Sequence, residues 1–555
     1  MNTENQDSSG AGTLAMLIGV VAFIVVLAIE TQAFASHVGY VPALGTPIFW
    51  DWYFPGSNLI WMLQFDYGFG APPSVESWVH AWFAAQRTQM GWAALVDLLF
   101  SLALRVLLHS SSDDAHGSAR WASGRDIRRS SLCRDRFGIV LGQTKKWFGL
   151  RGDLLIHGGT QNVAGIGPPG EGKSDGIAAP TLLKSWLYGS AIVYDPAAEL
   201  TPLTASTRAG TTRVVIFDAR DPGSARFNPL AGITVGDVDG VRTIMAAFML
   251  DRDLSEMSEQ EQFFAGSALE IGTAVVLHVM ELGTPTLAHA AKYYYDPAWE
   301  SDTQFCESLL KSDIPYVAKT GSKYARMTEK QRSPIIATFT RHLDLFRTPD
   351  VARVTSGSDF RASDLRSEPT TLYLVARERD QRSLNPLLRM LLTRIVDDLT
   401  ARIPGESEQT ILLLVDEFPL LRAAVIQQKL ATFRKYKIRV VLLAQSLTQI
   451  LAYYGQNESI SGLCDVKIFF PSVDSATQDL ASRTCGQTTR WGYATSNSMN
   501  GGASQSAHET GRPLLFPHEL ADMKARGEII IAVKGEPAIR ARPVRSHADR
   551  RFTTI

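Results

Sequence analysis

The stretch VAGIGPPGEGKS, residues 163–174, constrains this chain more than any other. Gly167, four residues, then Gly172-Lys173-Ser174 form a complete phosphate-binding loop pattern. At ordinary residue usage, such a match arises by chance in roughly one chain in fifty of this length. Its surroundings narrow the choice further. Val163 to Ile166 is a short apolar run with the look of a strand, and a helix-length stretch to Leu187 follows Ser174. The chemistry requires this order of strand, glycine loop and helix. Gly167, Pro168, Pro169, Gly170, Glu171 and Gly172 are the cradle, whose backbone N–H groups turn inward around phosphates. Lys173 reaches the outer phosphates and Ser174 holds Mg2+, aided by the positive end of the helix. Pro180 lies seven residues into that helix and predicts a kink or an end there.

Two further strands are expected to complete the site. Ile411 to Phe418 reads ILLLVDEF, five apolar residues and then two carboxylates. That is the pattern of a buried parallel strand ending at a reactive rim. Asp416 is expected to complete the Mg2+ site and Glu417 to polarise an attacking water. Ile438 to Ala444 is a third apolar run, ending in Gln445-Ser446. Gln445 is placed to sense the loss of a phosphate. Just before this run, Thr432-Phe433-Arg434-Lys435-Tyr436-Lys437 offers Arg434 as an arginine finger toward a neighbouring subunit's nucleotide, with a solvated basic turn as the equal alternative.

The chain has 555 residues, too many for one ordinary domain, and its composition is globular. Its 55 basic and 56 acidic residues exclude a uniformly basic coat, so nucleic acid must be met by local patches. Cys133, Cys306, Cys464 and Cys485 are too scattered for a zinc module or disulfide scaffold and read as free thiols.

The N-terminus departs from this globular pattern. Leu14 to Ile29 reads LAMLIGVVAFIVVLAI, and with its flanks about 20 residues hold one charge, Glu30. That length crosses ~30 Å of hydrocarbon. The preceding MNTENQDSSG contains no Lys or Arg, so an anchor is expected over a cleaved signal. A second run, Trp92 to Leu108, contains Asp97 and Arg105. Arg105 can snorkel to the headgroups, and Asp97 predicts a helix-bundle or subunit contact. Membrane helices are therefore expected at about 13–32 and 90–109. The loop between the runs carries Trp50, Trp52, Trp61, Trp78, Trp82 and Trp92, suited to a bilayer interface, and one Lys or Arg, Arg87. After the second run come Arg120, Arg125, Arg128, Arg129, Arg134, Arg136, Lys145 and Lys146. The bias of basic residues toward the cytoplasm puts both termini inside and the tryptophan loop outside.

Taken together, these pieces resemble the coupling proteins of type IV secretion, the TraG/TraD-type ATPases of conjugation and effector export. The resemblance covers nearly the whole chain. Besides the membrane runs and the phosphate loop it rests on His116-Gly-Ser-Ala-Arg-Trp121, Ala179-Pro-Thr-Leu-Leu183, Ile192-Val-Tyr-Asp-Pro-Ala-Ala-Glu-Leu200 and Ala225-Arg-Phe-Asn-Pro-Leu230. Further on it rests on Leu372-Tyr-Leu-Val375, the Asp416-Glu417 strand, Ala444-Gln-Ser-Leu-Thr-Gln-Ile450, Tyr454-Gly455 and Arg512-Pro-Leu-Leu-Phe-Pro-His-Glu-Leu520. Where the family often shows Asp-x-Lys-Gly-Glu, this chain has Asp195-Pro-Ala-Ala-Glu199 and lacks the Lys. Asp195 and Glu199 then read as end-of-strand and helix-cap residues.

The resemblance implies an α/β fold: a RecA-like P-loop ATPase domain, interrupted by an all-α domain and preceded by two transmembrane helices. It places the membrane region at 1–110, the ATPase domain at 111–230 and 366–555, and the helical domain at 231–365. It further implies ATP and Mg2+ as ligands and a ring, taken as a homo-hexamer, in the bacterial inner membrane. Partners would be membrane lipid, the channel components of the secretion system, and a cargo of protein effectors or a relaxase joined to single-stranded DNA. The residues agree with a helical insert. Ser258-x-x-Glu261 is a capping box ahead of Phe264, Ala268, Gly272, Val275 and Val279, and Ile336, Phe339, Leu343 and Phe346 repeat on a second helix from Ile335. A strand is expected from Thr371 to Ala376, a helix from Asn385 to Ala401, a loop or hairpin from Thr488 to Arg512 and a last strand from Glu528 to Val533. The arginine-rich tail from Arg540 to Arg551 is read as a contact for nucleic acid or lipid, or as solvated. The competing readings are an FtsK-like duplex DNA pump, which favours a separate C-terminal reading module, and a docking adaptor that does not hydrolyse ATP. An ABC exporter is excluded by the lack of a sequence near LSGGQ ahead of Asp416.

Overall fold

The apolar runs that flank the phosphate loop in sequence assemble into one sheet. The computed structural model describes residues 24–66, 79, 81–85, 117–130, 132, 136–145, 152–497 and 503–553. The chain divides into two units, Met1–Asp114 and Ala115–Ile555.

In the first unit a helix runs over Ile24–Val38. The rest of the first apolar run, and all of the run from Trp92 to Leu108, lie outside the described residues. A small aromatic core forms around Phe34, Tyr53, Trp61 and Phe83. Trp61 donates its indole N–H to the Leu44 carbonyl at 3.0 Å. The tryptophans therefore split: Trp61 is a core residue, whereas Trp50 and Trp52 are exposed. The uniform interfacial role expected of them is corrected for Trp61, whose ring is needed for packing.

The second unit is built on a nine-stranded sheet. Its small companions are β1 (Ile139–Gln143) and β2 (Leu154–His157), an antiparallel pair. The main strands are β3 (Val163–Ile166), β4 (Ser190–Asp195), β5 (Arg213–Asp218), β6 (Thr370–Val375), β7 (Ile411–Val415), β8 (Ile438–Ala444) and β9 (Val466–Phe469). Then come the hairpin β10 (Gln487–Asn497) and β11 (Ala503–Pro513), and finally β12 (Ile529–Val533) and β13 (Ile539–Ala541). The order across the large sheet is β13-β12-β9-β3-β8-β7-β4-β6-β5. All pairs from β9 to β5 are parallel, and β12 and β13 close one edge antiparallel. Strands β4, β6 and β7 are buried at every position, as expected for a parallel sheet covered on both faces. Alternate residues feed two cores: Val193, Tyr373, Leu412 and Leu414 on one face, Ile192, Leu372, Leu413 and Val415 on the other.

Between β5 and β6 the chain leaves the sheet for a helical bundle. Its centre is the helix Glu259–Glu281, opened by the capping box of Ser258 and Glu261. Every residue from Ser267 to Met280 except Glu270 is buried. By length and composition this helix would cross a bilayer, but it is surrounded by the bundle, and such a helix is apolar on all sides because it is the core. Around it pack Val238–Met249, Pro315–Ala325 and Glu329–Leu343.

Four details differ from the sequence expectations. The strand expected as the last, Glu528 to Val533, is followed by β13, which pairs with it antiparallel at the sheet edge. The helix after Lys173 passes through Pro180 and reaches Ser185. The turns on either side are widened, with Ala179 N–H bonded to the Ser174 carbonyl and Trp186 N–H to the Thr181 carbonyl at 2.8 Å, and this wider spacing accommodates a residue without an N–H. The helix expected from Asn385 begins earlier, at Gln381, with Pro386 close to its start. The arginine tail is partly consumed by the fold. Arg540 stacks over Trp121 at 4.1 Å, and Arg551 pairs with Asp549 at 2.6 Å and donates to the Gly152 carbonyl at 3.0 Å.

Candidate functional site

The phosphate loop leaves the C-terminal end of β3, which lies between β8 and β9. Glycine is required at its start: a Cβ on Gly167 would stand 2.3 Å from the Phe470 Cβ. Gly170 and Gly172 have φ of +79° and +87°, the left-handed region, and a Cβ on either would meet nothing within 4 Å. The space beside both glycines is therefore open, as an approaching phosphate needs.

Lys173 is buried, and its ammonium donates to the Pro168 carbonyl at 3.1 Å, so it is folded back on its own loop. Burial pushes its proton affinity down, against the pull of Asp416, Glu417 and Glu171. Glu171 pairs with Lys524 at 2.7 Å, which ties the loop to the helix Glu519–Arg526.

Asp416 and Glu417 follow β7. That strand is not next to β3; β8 lies between them, a separation of about 10 Å across two strand spacings. The first turn of the loop helix spans the gap, and Ser174 Oγ donates to Asp416 Oδ2 at 2.6 Å. Asp416 also accepts the Glu417 N–H at 3.0 Å. Burial pushes its carboxyl up to about 6, and Glu417 adds to that while the Ser174 hydroxyl opposes it. A serine hydroxyl and a carboxylate in contact are hard oxygen donors of the kind Mg2+ takes, so these residues fit the ion that the loop implies.

Glu417 has φ of +47°, left-handed although it is not glycine. Gln445, at the end of the intervening β8, donates from Nε2 to Glu417 Oε1 at 2.9 Å. The structure therefore brings Lys173, Ser174, Asp416, Glu417 and Gln445 to one rim. It does not bring Arg434 there. Arg434 is exposed in the turn before β8, the opposite end of the strand that delivers Gln445, so within one chain it has no place in the site.

Several supporting residues were not singled out in the sequence. Tyr194, at the end of β4, donates to Asn385 Oδ1 at 2.9 Å, and burial holds its phenol protonated. Asp175, next to Ser174, accepts the Ser546 hydroxyl and the His547 N–H and sits 2.8 Å from the His547 imidazole. These partners are 371 and 372 residues away, and no local pattern announces them. Asp195, by contrast, is read from the sequence as an end-of-strand residue, and it accepts from Glu199 N, Thr201 N and Thr201 Oγ1 at 2.7–3.0 Å, the work of a strand-end cap.

Comparison with known proteins gives the family and the fold. Residues 120–554 match the family described as type IV secretory system conjugative DNA transfer. A conjugal transfer protein TraG of Escherichia coli is 30% identical over 539 residues, covering 84% of this chain and 84% of the relative. Protein VirD4 of Agrobacterium fabrum is 28% identical over 521 residues, covering 88% and 76%. A solved structure of plasmid coupling protein TrwB in complex with ADP and Mg2+ superposes with a TM-score of 0.58 at 15% identity, over 77% of this chain and 94% of that one. At that identity the likeness establishes the fold alone, a RecA-like α/β fold. The chain belongs to the type IV secretory system conjugative DNA transfer family and is a type IV coupling protein.

Proposed function

We propose that this coupling protein hydrolyses ATP and uses the cycle to drive substrates into a type IV secretion channel. One observation carries the reading: two polar contacts, Ser174 to Asp416 at 2.6 Å and Gln445 to Glu417 at 2.9 Å, meet at one rim beside an open glycine loop. Ser174 and Asp416 would hold Mg2+, which when bound neutralises phosphate charge. Lys173 leaves the Pro168 carbonyl and turns to the outer phosphates. Glu417 orients the attacking water and takes up its proton. Gln445, bonded to Glu417 and at the end of β8, reads whether the terminal phosphate is present.

In the same reading the ATPase domain is residues 111–230 and 366–555, the helical domain is 231–365, and residues 1–110 anchor the chain in the inner membrane by helices at about 13–32 and 90–109. Both termini are then cytoplasmic. The helix Ile24–Val38 supports the first anchor. Subunits assemble as a hexamer with nucleotides at their borders, and Arg434 acts only there, on a neighbour's nucleotide. The cargo is a relaxase joined to single-stranded DNA, or protein effectors. This fits relatives named for conjugal transfer, and the chain's nearly balanced charge of −1 permits both cargoes through a locally basic pore.

ATP turnover by the purified protein tests the proposal. Lys173→Ala and Glu417→Gln should each lower turnover by at least about 10²-fold while membrane insertion is kept. If both variants transfer cargo as the parent does, the protein is a docking adaptor and not a motor.

A further inference from the structure

The segment that follows Glu417 is bracketed by two left-handed residues. Glu417 has φ of +47° and Arg422 has φ of +51°, and neither is glycine. Between them lies one helical turn, Phe418–Leu421. Such conformations persist when the surroundings hold both ends, and they mark places where strain is kept for use.

Both ends are indeed held. At the first, Gln445 grips Glu417 at 2.9 Å. At the second, the Arg422 guanidinium forms an ion pair with Asp251 and lies 4.4 Å over the Tyr453 ring. Asp251 comes just after the helix Val238–Met249 and belongs to the helical insert. Tyr453 belongs to the helix Leu447–Tyr454, which begins two residues after Gln445. Two routes therefore leave the nucleotide rim and reach one arginine: Glu417 through the short turn, and Gln445 through its helix. Between the routes, Phe418 and Tyr454 pack ring to ring at 5.6 Å.

A second arginine gives the contrast. Arg389 is buried, and it donates to the Ala247 and Phe248 carbonyls at 2.5 and 3.0 Å, at the end of the same insert helix. Buried and doubly bonded, that contact is suited to serve as a pivot. The Arg422–Asp251 pair, with side chains 37% and 47% exposed, is bound weakly enough to be made and broken. From this juxtaposition we infer that Arg422 is a positioning residue that carries the nucleotide state to the helical insert, its pairing with Asp251 setting the insert's angle about the Arg389 pivot. The inference rests on the hydrolytic reading proposed above and adds the route by which that reading moves the insert.

The test uses the full-length protein with nitroxide labels on Glu300→Cys in the insert and Glu406→Cys in the ATPase domain, read by pulsed electron resonance with ADP and with a non-hydrolysable ATP analogue. In the parent the two distance distributions should differ. In Arg422→Ala they should coincide, while ATP turnover stays within about threefold of the parent. The exchange of Arg422→Asp with Asp251→Arg should restore the difference, which a purely structural role for Arg422 would not do. If Arg422→Ala keeps the parent's difference, or if a hydrolysing parent shows none, the assignment is wrong and the motor reading stands. If the parent does not hydrolyse ATP, the motor reading falls and the assignment with it.

Discussion

Replacement of Asp416 by Asn separates what the site needs for chemistry from what the fold would prefer. Asp416 is 6% exposed, and burial lifts its carboxyl from 3.8 to about 6. At 1.36 kcal/mol per pH unit this is about 3 kcal/mol of differential stability. The sign follows from proton counting. Between pH 4 and 6 the folded state holds a proton that the unfolded state has lost, so stability falls as the pH rises through this window and the loss is complete above it. Asn cannot ionise, yet it can still accept from Ser174. In Mg2+-free buffer the unfolding free energy of Asp416→Asn, relative to the parent, should therefore improve by about 2.4 kcal/mol between pH 4 and pH 7. Urea titrations at several pH values with a chelator present measure it. Saturation with Mg2+ and ATP at about a hundred times the dissociation constant should then stabilise the parent by about 2.7 kcal/mol and the variant far less. A difference that stays flat with pH, or that moves in the parent's favour, refutes the argument that the metal-site carboxylate is held at the expense of stability.

Two other substitutions probe the loop and its helix. Gly167→Ala places a methyl 2.3 Å from the Phe470 Cβ, so it should destabilise by about 1–3 kcal/mol and weaken binding of a fluorescent nucleotide at least tenfold; an unchanged melting temperature and affinity would contradict the close approach. Arg208, fully buried, donates to Thr371 Oγ1 at 2.6 Å and to the carbonyls of Leu182, Trp186 and Gly189 at 2.5–3.1 Å, where the phosphate-loop helix ends. Arg208→Met removes the side-chain donor from all three carbonyls, of which Trp186 keeps the Gly189 N–H at 3.2 Å, and should lower the unfolding free energy by about 3–5 kcal/mol in urea, with a loss under about 1 kcal/mol counting against this account.

Features set by neighbours in sequence were legible before any fold was known. Strand β7 is buried at every position and reads as an unbroken apolar run, β8 does the same from Val440 after the partly buried Arg439, and the polar residues that end them are the ones that meet at the rim. The pair Ser258 and Glu261 announced the start of the bundle's central helix because a capping box is complete within four residues. Features set across the sequence were not legible. Pro180 reads as a kink or an end of its helix, and the widening of its flanking turns, which carries the helix on, has no local signature. The tail's arginines looked free because Trp121, Gly152 and Gln143 lie about 400 residues away. Arg422 carried no signal at all, since its partner Asp251 is 171 residues distant.

The same distances explain why an insert can sit between the two halves of the site. Ser174 and Asp416, which touch, are 242 residues apart in sequence. Closing a flexible loop scales with the logarithm of its length, so the roughly 150 residues between β5 and β6 add only about 1 kcal/mol to the closure of the site. Connectivity therefore exerts little control over the bundle, and a helical domain of almost any size would be tolerated there. What binds the bundle to the state of the site must be side chains that cross between them. Arg389, buried on the Ala247 and Phe248 carbonyls, fixes where the bundle hinges, and Arg422, half exposed on Asp251, is the contact whose strength is low enough for events at Glu417 to change it.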